Sequence, residues 1–410
     1  MTPRRATGSI TSNLLRHVEK LCSPELAGRL VGSEGEAAAR EYLTEHLEGL
    51  GFRPAPGHAE PFPVKIPLLS RVPRLFAGAI ELEYLVDFCV NVQGAAGGGR
   101  VEGPCVWVGG NRPDARVANR IVVCAPASPG SLHEALESYL QRHRAAREAG
   151  ARGILQLSAD HRRGKVMMHR AERPGLPSLD VSRGVVRLIF GTNEPAVGAV
   201  GAEVCIDVPL TETEVTSAGN VVMQFGDAPV GCFLVAHYDH VGAVADGRYF
   251  PGAADNASGV AVVLEAARCL AEGASSRGVV VLLTAAEEAG TRGAQHYVFH
   301  HSGELSSAPL VINVDEIGGD PRQPLRLLCR GAEPGPATPD PGWPVVTRPL
   351  SPGFTDDSAF VAHVPTVVTL TSASRPGVVH TLDDSVDALM IPKLVAATNL
   401  VVHLATDGHR

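Results

Sequence analysis

Five short segments in the second half of the chain hold the residue types that metal-assisted hydrolysis needs. They are His237-Tyr238-Asp239-His240, Gly252-Ala253-Ala254-Asp255-Asn256, Glu287-Glu288-Ala289-Gly290, Asn313-Val314-Asp315-Glu316 and His380-Thr381. Each lies where an apolar, β-branched run gives way to a polar or glycine-rich turn, and open α/β sheets place their ligands at such strand ends. His237 and Asp239 are two apart at a strand end and project to one side of an extended chain. One can bind a metal while the other orients it or tunes its charge. Asp255 follows a Gly-Ala-Ala turn and precedes a helix. Its carboxylate could bridge two metals, one oxygen on each, or cap the helix as Asp, Asn and Ser commonly do. Glu287 and Glu288 are adjacent and cannot share a face of a regular element. That divides their labour, one on a metal and one toward the substrate as general base, with two solvated carboxylates as the alternative. Asp315 ends an apolar run over 310–314, where packing gives no reason for a carboxylate. His380 follows Gly377-Val378-Val379; such a histidine, taken alone, is usually just hydrogen-bonded, and Asp384 and Ser385 are placed to hold its loop.

Two neighbouring metal ions lower the pKa of a bound water from 15.7 toward about 7. His, Asp and Glu donors suit zinc, with Mn or Co as alternatives. A nearby Glu would take the water proton and pass it to the leaving group. A free carboxylate titrates near about 4.3, so Glu287 would need its pKa raised by its surroundings to do both.

The elements that must position these groups are legible as patterns. Residues 13–50 read as helices with apolar stripes (Leu14, Leu15, Val18, Leu21; then Ala37, Ala38, Tyr42, Leu43, Leu47), closed by Gly51. The stretch 54–73 is punctuated by proline and reads as a strand-and-loop connection. From 89 to 205 the texture changes to a glycine-rich start and short apolar runs at 106–108, 121–123, 153–157, 176–181 and 185–189, with one helix over 132–149. This reads as an inserted, smaller β-rich domain. From 220 onward, strands at 233–236, 279–284, 310–314 and 364–370 alternate with helices such as 258–271, the signature of an α/β sheet. The Pro- and Gly-dense stretch 331–352 reads as a loop beside the pocket, with Trp343 as a wall.

The bulk composition fits a buried globular enzyme: 410 residues, 44% hydrophobic and only 20% charged. A net charge of -8 gives no footprint for nucleic acid, and the locally basic stretch 142–173 reads as a solvated surface. The eight cysteines are scattered without a Cys-x-x-Cys pair, which excludes a zinc-finger type site and leaves buried thiols. The first residues carry Arg4 and Arg5 without a following apolar core, so no signal peptide is evident and the expected location is cytoplasmic. No run reaches the roughly 18 apolar residues of a membrane span.

Taken together, the segments resemble peptidase family M28, zinc peptidases that include bacterial leucyl aminopeptidases and glutamate carboxypeptidase. The opening Glu25-Leu26-Ala27-Gly28-Arg29-Leu30-Val31-Gly32 is similar to that family's first helices. The resemblance implies a mixed central sheet flanked by helices, zinc-peptidase and phosphorylase/hydrolase-like, formed by 1–88 and 206–410. Residues 89–205 resemble a protease-associated domain. It further implies two zinc ions, with His237 and Asp315 on one, Glu288 and His380 on the other and Asp255 bridging. Glu287 would be the general base, Asp239 would orient His237, and the Asp255-Asn256 peptide would be cis. The implied activity is that of a dinuclear zinc aminopeptidase, hydrolysing N-terminal amide bonds of a peptide or aminoacyl substrate through a metal-bridging hydroxide. Three features depart from the pattern. Glu316 replaces an apolar residue, Asp357 stands where a histidine is common in Thr355-Asp356-Asp357-Ser358-Ala359-Phe360, and no tyrosine follows Tyr297 to stabilise an oxyanion. Three alternatives stand beside this reading. One is a carboxypeptidase or dedicated amidohydrolase, with Arg292, Arg348 or Arg375 reading a carboxylate. Another is a glutaminyl-cyclase-like acyltransferase with a single zinc, which the full ligand set disfavours. The last is a non-catalytic binding protein, which the retained Glu287 disfavours.

Overall fold

Four apolar, β-branched runs form adjacent parallel strands: Gly278–Thr284, Val230–His237, Leu310–Asp315 and Thr366–Thr371. Every residue of Gly278–Thr284 and Leu310–Asp315 is buried, the pattern of a strand covered on both faces. Val221–Phe225 and the short Arg53–Pro54 extend this sheet antiparallel on one side. Leu325–Arg330, antiparallel to Thr366–Thr371, and Val345–Pro349 extend it on the other, so the sheet is mixed and eight-stranded. Helix Ser258–Glu272 lies on the three central strands and is packed in turn by Thr7–Leu21 and Ile391–Asp407. A second core joins the alternate residues Phe233, Val235, Val280 and Leu282 to Tyr297 and Val298 of helix Arg292–His300 and to Phe360. The fold is therefore the mixed α/β sheet flanked by helices that the resemblance implies.

This computed structural model describes residues 7–90, 97–126, 132–159, 161–164, 175–273, 277–306, 308–331, 342–350, 355–372, 374–375 and 377–407. Gly94 of the glycine-rich start, the 165–173 part of the basic stretch, and 332–341 and 351–352 of the expected loop lie outside the described residues. The described residues 345–349 of that stretch form a strand rather than a loop. Trp343 donates to the Gln323 carbonyl at 3.1 Å and lies under the Lys393 ammonium, 5.0 Å from its ring.

The chain forms two compact units: Met1–Val64, Val215–Ala243 and Tyr249–Arg410, which hold the sheet above, and Lys65–Glu214 with Val244–Arg248. The chain passes out and back through the paired strands Pro61–Leu69 and Leu210–Gly219. In Pro61–Leu69 the residues Phe62, Val64 and Ile66 are buried and alternate with Pro61, Pro63 and Lys65, so proline falls only at outward positions of a two-stranded ribbon. The smaller unit has parallel strands Gly99–Gly109, Ile121–Cys124, Gly153–Leu157 and Ser178–Val181, with helix Leu132–Glu148 between the second and third. Val106, Val122, Ile154 and Ala146 are among its core.

This unit is wider than the 89–205 expected from sequence. Arg74–Ala77 and Ile80–Leu82 pair into its sheet beside Val200–Val208, and Phe88–Val90 pairs with Ser178–Val181 at the far edge. Short strands next to a proline-rich run carry little period, and only their partners define them. The run 185–189 is helical within Arg183–Phe190. Ser182 accepts from the Val185 amide at 3.3 Å, and Gly191 closes the helix at φ +72°, so capping overrides β-branched content. All eight cysteines are free and seven are buried, as the scattered pattern suggested.

Candidate metal centre

Parallel register brings the strand ends to one edge: His237 stands opposite Thr284, and Asp315 opposite Thr371. His237 is the last residue of its strand. Its Nε2 lies 3.2 Å from Asp255 Oδ1 and 3.3 Å from Asp315 Oδ1. Its Nδ1 lies 3.3 Å from the Asp239 carbonyl oxygen, so Nδ1 carries the proton and Nε2 is turned toward the carboxylates. Burial pulls the His237 pKa down, but Glu287, Asp255 and Asp315 outweigh it and hold it well above its usual value.

Asp255 sits in the turn Ala253–Ala257 ahead of helix Ser258–Glu272, and its peptide bond to Asn256 is cis. Its two oxygens face opposite ways, Oδ1 to His237 and Oδ2 to His380 Nε2 at 2.8 Å. The capping alternative is taken by its neighbour instead: Asn256 Oδ1 accepts from the Gly259 amide at 3.1 Å and the Glu316 amide at 3.3 Å. Asn256 Nδ2 donates to the Val314 carbonyl at 3.0 Å, tying the turn to the strand that ends in Asp315. From below, the Asp384 carboxylate accepts from the Ala254 and Asp255 amides at 2.8 and 3.2 Å. His380, at φ +62°, begins the loop that ends in Asp384, so one loop supplies a candidate ligand and the brace under the other.

Glu287 and Glu288 follow strand Gly278–Thr284, and their surroundings differ. Glu288 Oε1 lies 3.1 Å from His380 Nε2 and 2.8 Å from His240 Nδ1. The Glu287 carboxyl stands among charges. Burial, then Asp356, Asp315 and Glu288, lift its carboxyl well above the usual range against the pull of His237. Glu288 moves the other way, to about 2: burial would raise it, but His380 and His240 win.

Asp239 lies beside His237 and also holds the two glutamates. Its carboxylate is 3.8 Å from His237 Nδ1, and its two oxygens accept the amides of Glu287 and Glu288 at 3.0 and 3.3 Å. It fixes the turn that carries both glutamates, while its backbone carbonyl is what orients His237. Burial pushes its carboxyl up to about 7.

Two donor groups result: His237, Asp255 and Asp315, and His240, Asp255, Glu288 and His380, with the atoms of each group within 4.8 Å of one another. Asp255 is common to both. Of the residues singled out from sequence, His237, Asp255, Glu288, Asp315 and His380 lie in these groups, Asp239 accepts from the Glu288 amide, and Glu287 lies outside the groups with its amide on Asp239. Imidazole and carboxylate donors, with the His237 Nδ1 proton on a carbonyl, fit zinc.

Sequence reasoning passed over three residues here. His240 sits in the first motif, three residues from His237. Arg29 is fully buried at φ +50°, and its guanidinium donates to four main-chain carbonyls: Leu21, Tyr238 (2.8 Å), Pro251 (2.9 Å) and Gly252 (3.1 Å). It thereby stitches the end of the His237 strand to the turn before Asp255. Asp356 is buried, accepts from the Thr284 hydroxyl through one oxygen and has no partner at the other among the described residues. Burial raises it to about 7.

The departures also find places. Asp357 accepts from the Thr355 and Thr369 hydroxyls at 2.9 and 2.5 Å and acts as a structural tie where a histidine was expected. Glu316 takes φ +52° just past Asp315, and burial with Asp255 and Asp315 raises it to about 8. Arg348 and Arg375 are exposed, and Arg292 opens a helix and reaches toward Gln295 at 3.4 Å.

Residues 220–405 match the model of peptidase family M28. Over 87 residues, 21% of the chain, the sequence is 39% identical to aminopeptidase YwaD of Bacillus subtilis (strain 168), a match spanning 18% of that relative's length. The fold is similar to a peptidase M28 precursor from Shewanella amazonensis SB2B, with TM-score 0.72 and 19% identity over 98% of this chain and 96% of that one. It is also similar to BSAP, a zinc aminopeptidase from Bacillus subtilis, with TM-score 0.69 and 17% identity over 96% and 93% of the two chains. At such identities the structural likeness speaks for the shared fold.

Proposed function

We infer, from the match of residues 220–405 to peptidase family M28, that this chain is a zinc-dependent aminopeptidase of that family with a two-ion centre. The observation that carries this is the Asp255 carboxylate, one oxygen toward His237 and the other toward His380. In this reading His237, Asp255 and Asp315 hold one ion, and Asp255, Glu288 and His380 hold the other. Bound zinc would supply Lewis acidity to the scissile carbonyl and make water easier to deprotonate. The chain's own part is proton transfer. Glu287, held above the usual carboxylate range, takes the proton from water at its carboxylate and returns it to the departing amine. Asp239 keeps Glu287 and Glu288 on their respective tasks through their amides. The substrate proposed is a peptide or aminoacyl compound with a free N-terminus. The exposure of Arg348 and Arg375 gives no support to a carboxylate-reading pocket. The smaller unit is proposed to be a non-catalytic, protease-associated-like insertion, since the candidate metal groups found among the described residues all lie in the larger unit.

The test is mass spectrometry of products from peptides with free and with acetylated N-termini, incubated with zinc-loaded protein. Stepwise trimming of the free peptides alone is expected. Cleavage from the C-terminus, or equal cleavage of both sets, would overturn the aminopeptidase reading.

A further inference from the structure

We propose that His240 is a positioning residue for Glu288 and not a metal ligand, an inference that rests on Glu288 being a ligand of the second ion. His240 is fully buried, and its Nδ1 lies 2.8 Å from Glu288 Oε1, the same oxygen that faces His380 Nε2 at 3.1 Å. Its ring stands 5.3 Å from that of His380 at 72°. Proximity alone would therefore admit His240 as a fourth donor beside Asp255, Glu288 and His380.

The other ring nitrogen decides. A metal-bound imidazole keeps a proton on its second nitrogen and donates it to an acceptor. His237 fits that pattern, with Nδ1 at the Asp239 carbonyl. His240 Nε2 is buried with no hydrogen-bond partner among the described residues. A metal on Nδ1 would leave a buried N–H at Nε2 without an acceptor, which is rare and costly. With the proton on Nδ1, the ring donates to Glu288 and leaves only an unfilled lone pair at Nε2, the milder penalty. The site is built for the ring: Gly252, at φ +61°, has no Cβ, and one placed there would stand 2.5 Å from His240 Cδ2. Glu288 is thus held at both ends, its amide by Asp239 and its carboxylate by His240.

Asparagine and glutamine separate the two roles. The amide nitrogen of His240→Asn falls where Nδ1 stands, and that of His240→Gln falls nearer Nε2. The full chain, stripped of metal, is titrated with Co2+, reading the affinity of each ion and its visible d–d spectrum. His240→Gln and His240→Ala are expected to weaken the second ion about 10–100-fold and shift its spectrum, the usual cost of losing such a partner. His240→Asn should stay near wild type, and the first ion, unchanged throughout, reports an intact fold. If Asn fails as Ala does and the second ion's spectrum loses a nitrogen donor, His240 is a ligand and the proposal is wrong. Wild-type binding in all three variants also overturns it. Glu288→Gln separates the premise. If it binds both ions normally, the ligand reading of Glu288 falls and takes this proposal with it. If it loses the second ion while the His240 variants do not, only the positioning role falls.

Discussion

Glu287 and Glu288 are chemically identical neighbours whose surroundings shift them in opposite directions. Glu288 faces two imidazoles and is held ionised, whereas Glu287 is enclosed beside Asp356 and Asp315 and keeps its proton to higher pH. The base works deprotonated, so kcat/KM should rise with pH through the Glu287 pKa, on a limb displaced above the roughly 4.3 of a free glutamate. Glu287→Gln should keep the fold and its bound zinc but lose about 10²–10⁴-fold in kcat, the range for removing a general base. Steady-state kinetics with zinc content measured on the same sample checks this, and near-full turnover in that variant would remove Glu287 from the mechanism. The side chains that gather at the strand ends were legible in the sequence, because a histidine or carboxylate at the end of an apolar strand has no packing rationale. The sequence did not mark His240, whose contact with Glu288 spans 48 residues. Nor did it reveal that the Asp239 carboxylate also accepts the amides of both glutamates.

At the scale of elements, the centre depends on two turns that no single helix or strand holds in place. Asn256 and Asp384 fix the Asp255 turn from either side, and Arg29 ties it to the end of the neighbouring strand across 223 residues. Arg29→Met would remove the guanidinium from four carbonyls, of which Gly252 keeps the Ala257 amide. With about 1–3 kcal/mol for each buried group left unsatisfied and partial relaxation, a loss of about 3–5 kcal/mol is expected. Arg29→Lys should recover little of it, because an ammonium cannot reproduce a planar fork. Urea denaturation of the metal-free protein measures this, and a loss under about 1 kcal/mol would mean the carbonyls find other partners. The long strands and helices of the larger unit were legible from periodicity. The short strands at 74–77 and 80–82 and the helix at 183–190 were not, because pairing and capping outweighed local composition there.

For the whole molecule, the centre is a store of unfavourable charge until metal arrives. Asp239 and Asp356 are raised to about 7 and Glu316 to about 8. A carboxyl whose folded pKa is raised gives stability that is complete below its unfolded pKa and lost as pH climbs through the folded one. His237 and His380, also raised, lose their contribution in the same direction. Metal-free protein should therefore melt at progressively lower temperature from about pH 4, the unfolded carboxyl value, to about pH 8. Zinc-loaded protein should lose much less, since the ions replace protons as the balancing charge. Scanning calorimetry of both forms tests this, and a flat or rising Tm in the metal-free form would contradict it.

The central claim is that one carboxylate, Asp255, joins two ions. Native mass spectrometry of the chain titrated with zinc, beside Asp255→Ala, tests it most directly. The account predicts two zinc ions per wild-type chain and at most one tightly held in the variant. One ion in the wild type, or two held with unchanged affinity in Asp255→Ala, would contradict it.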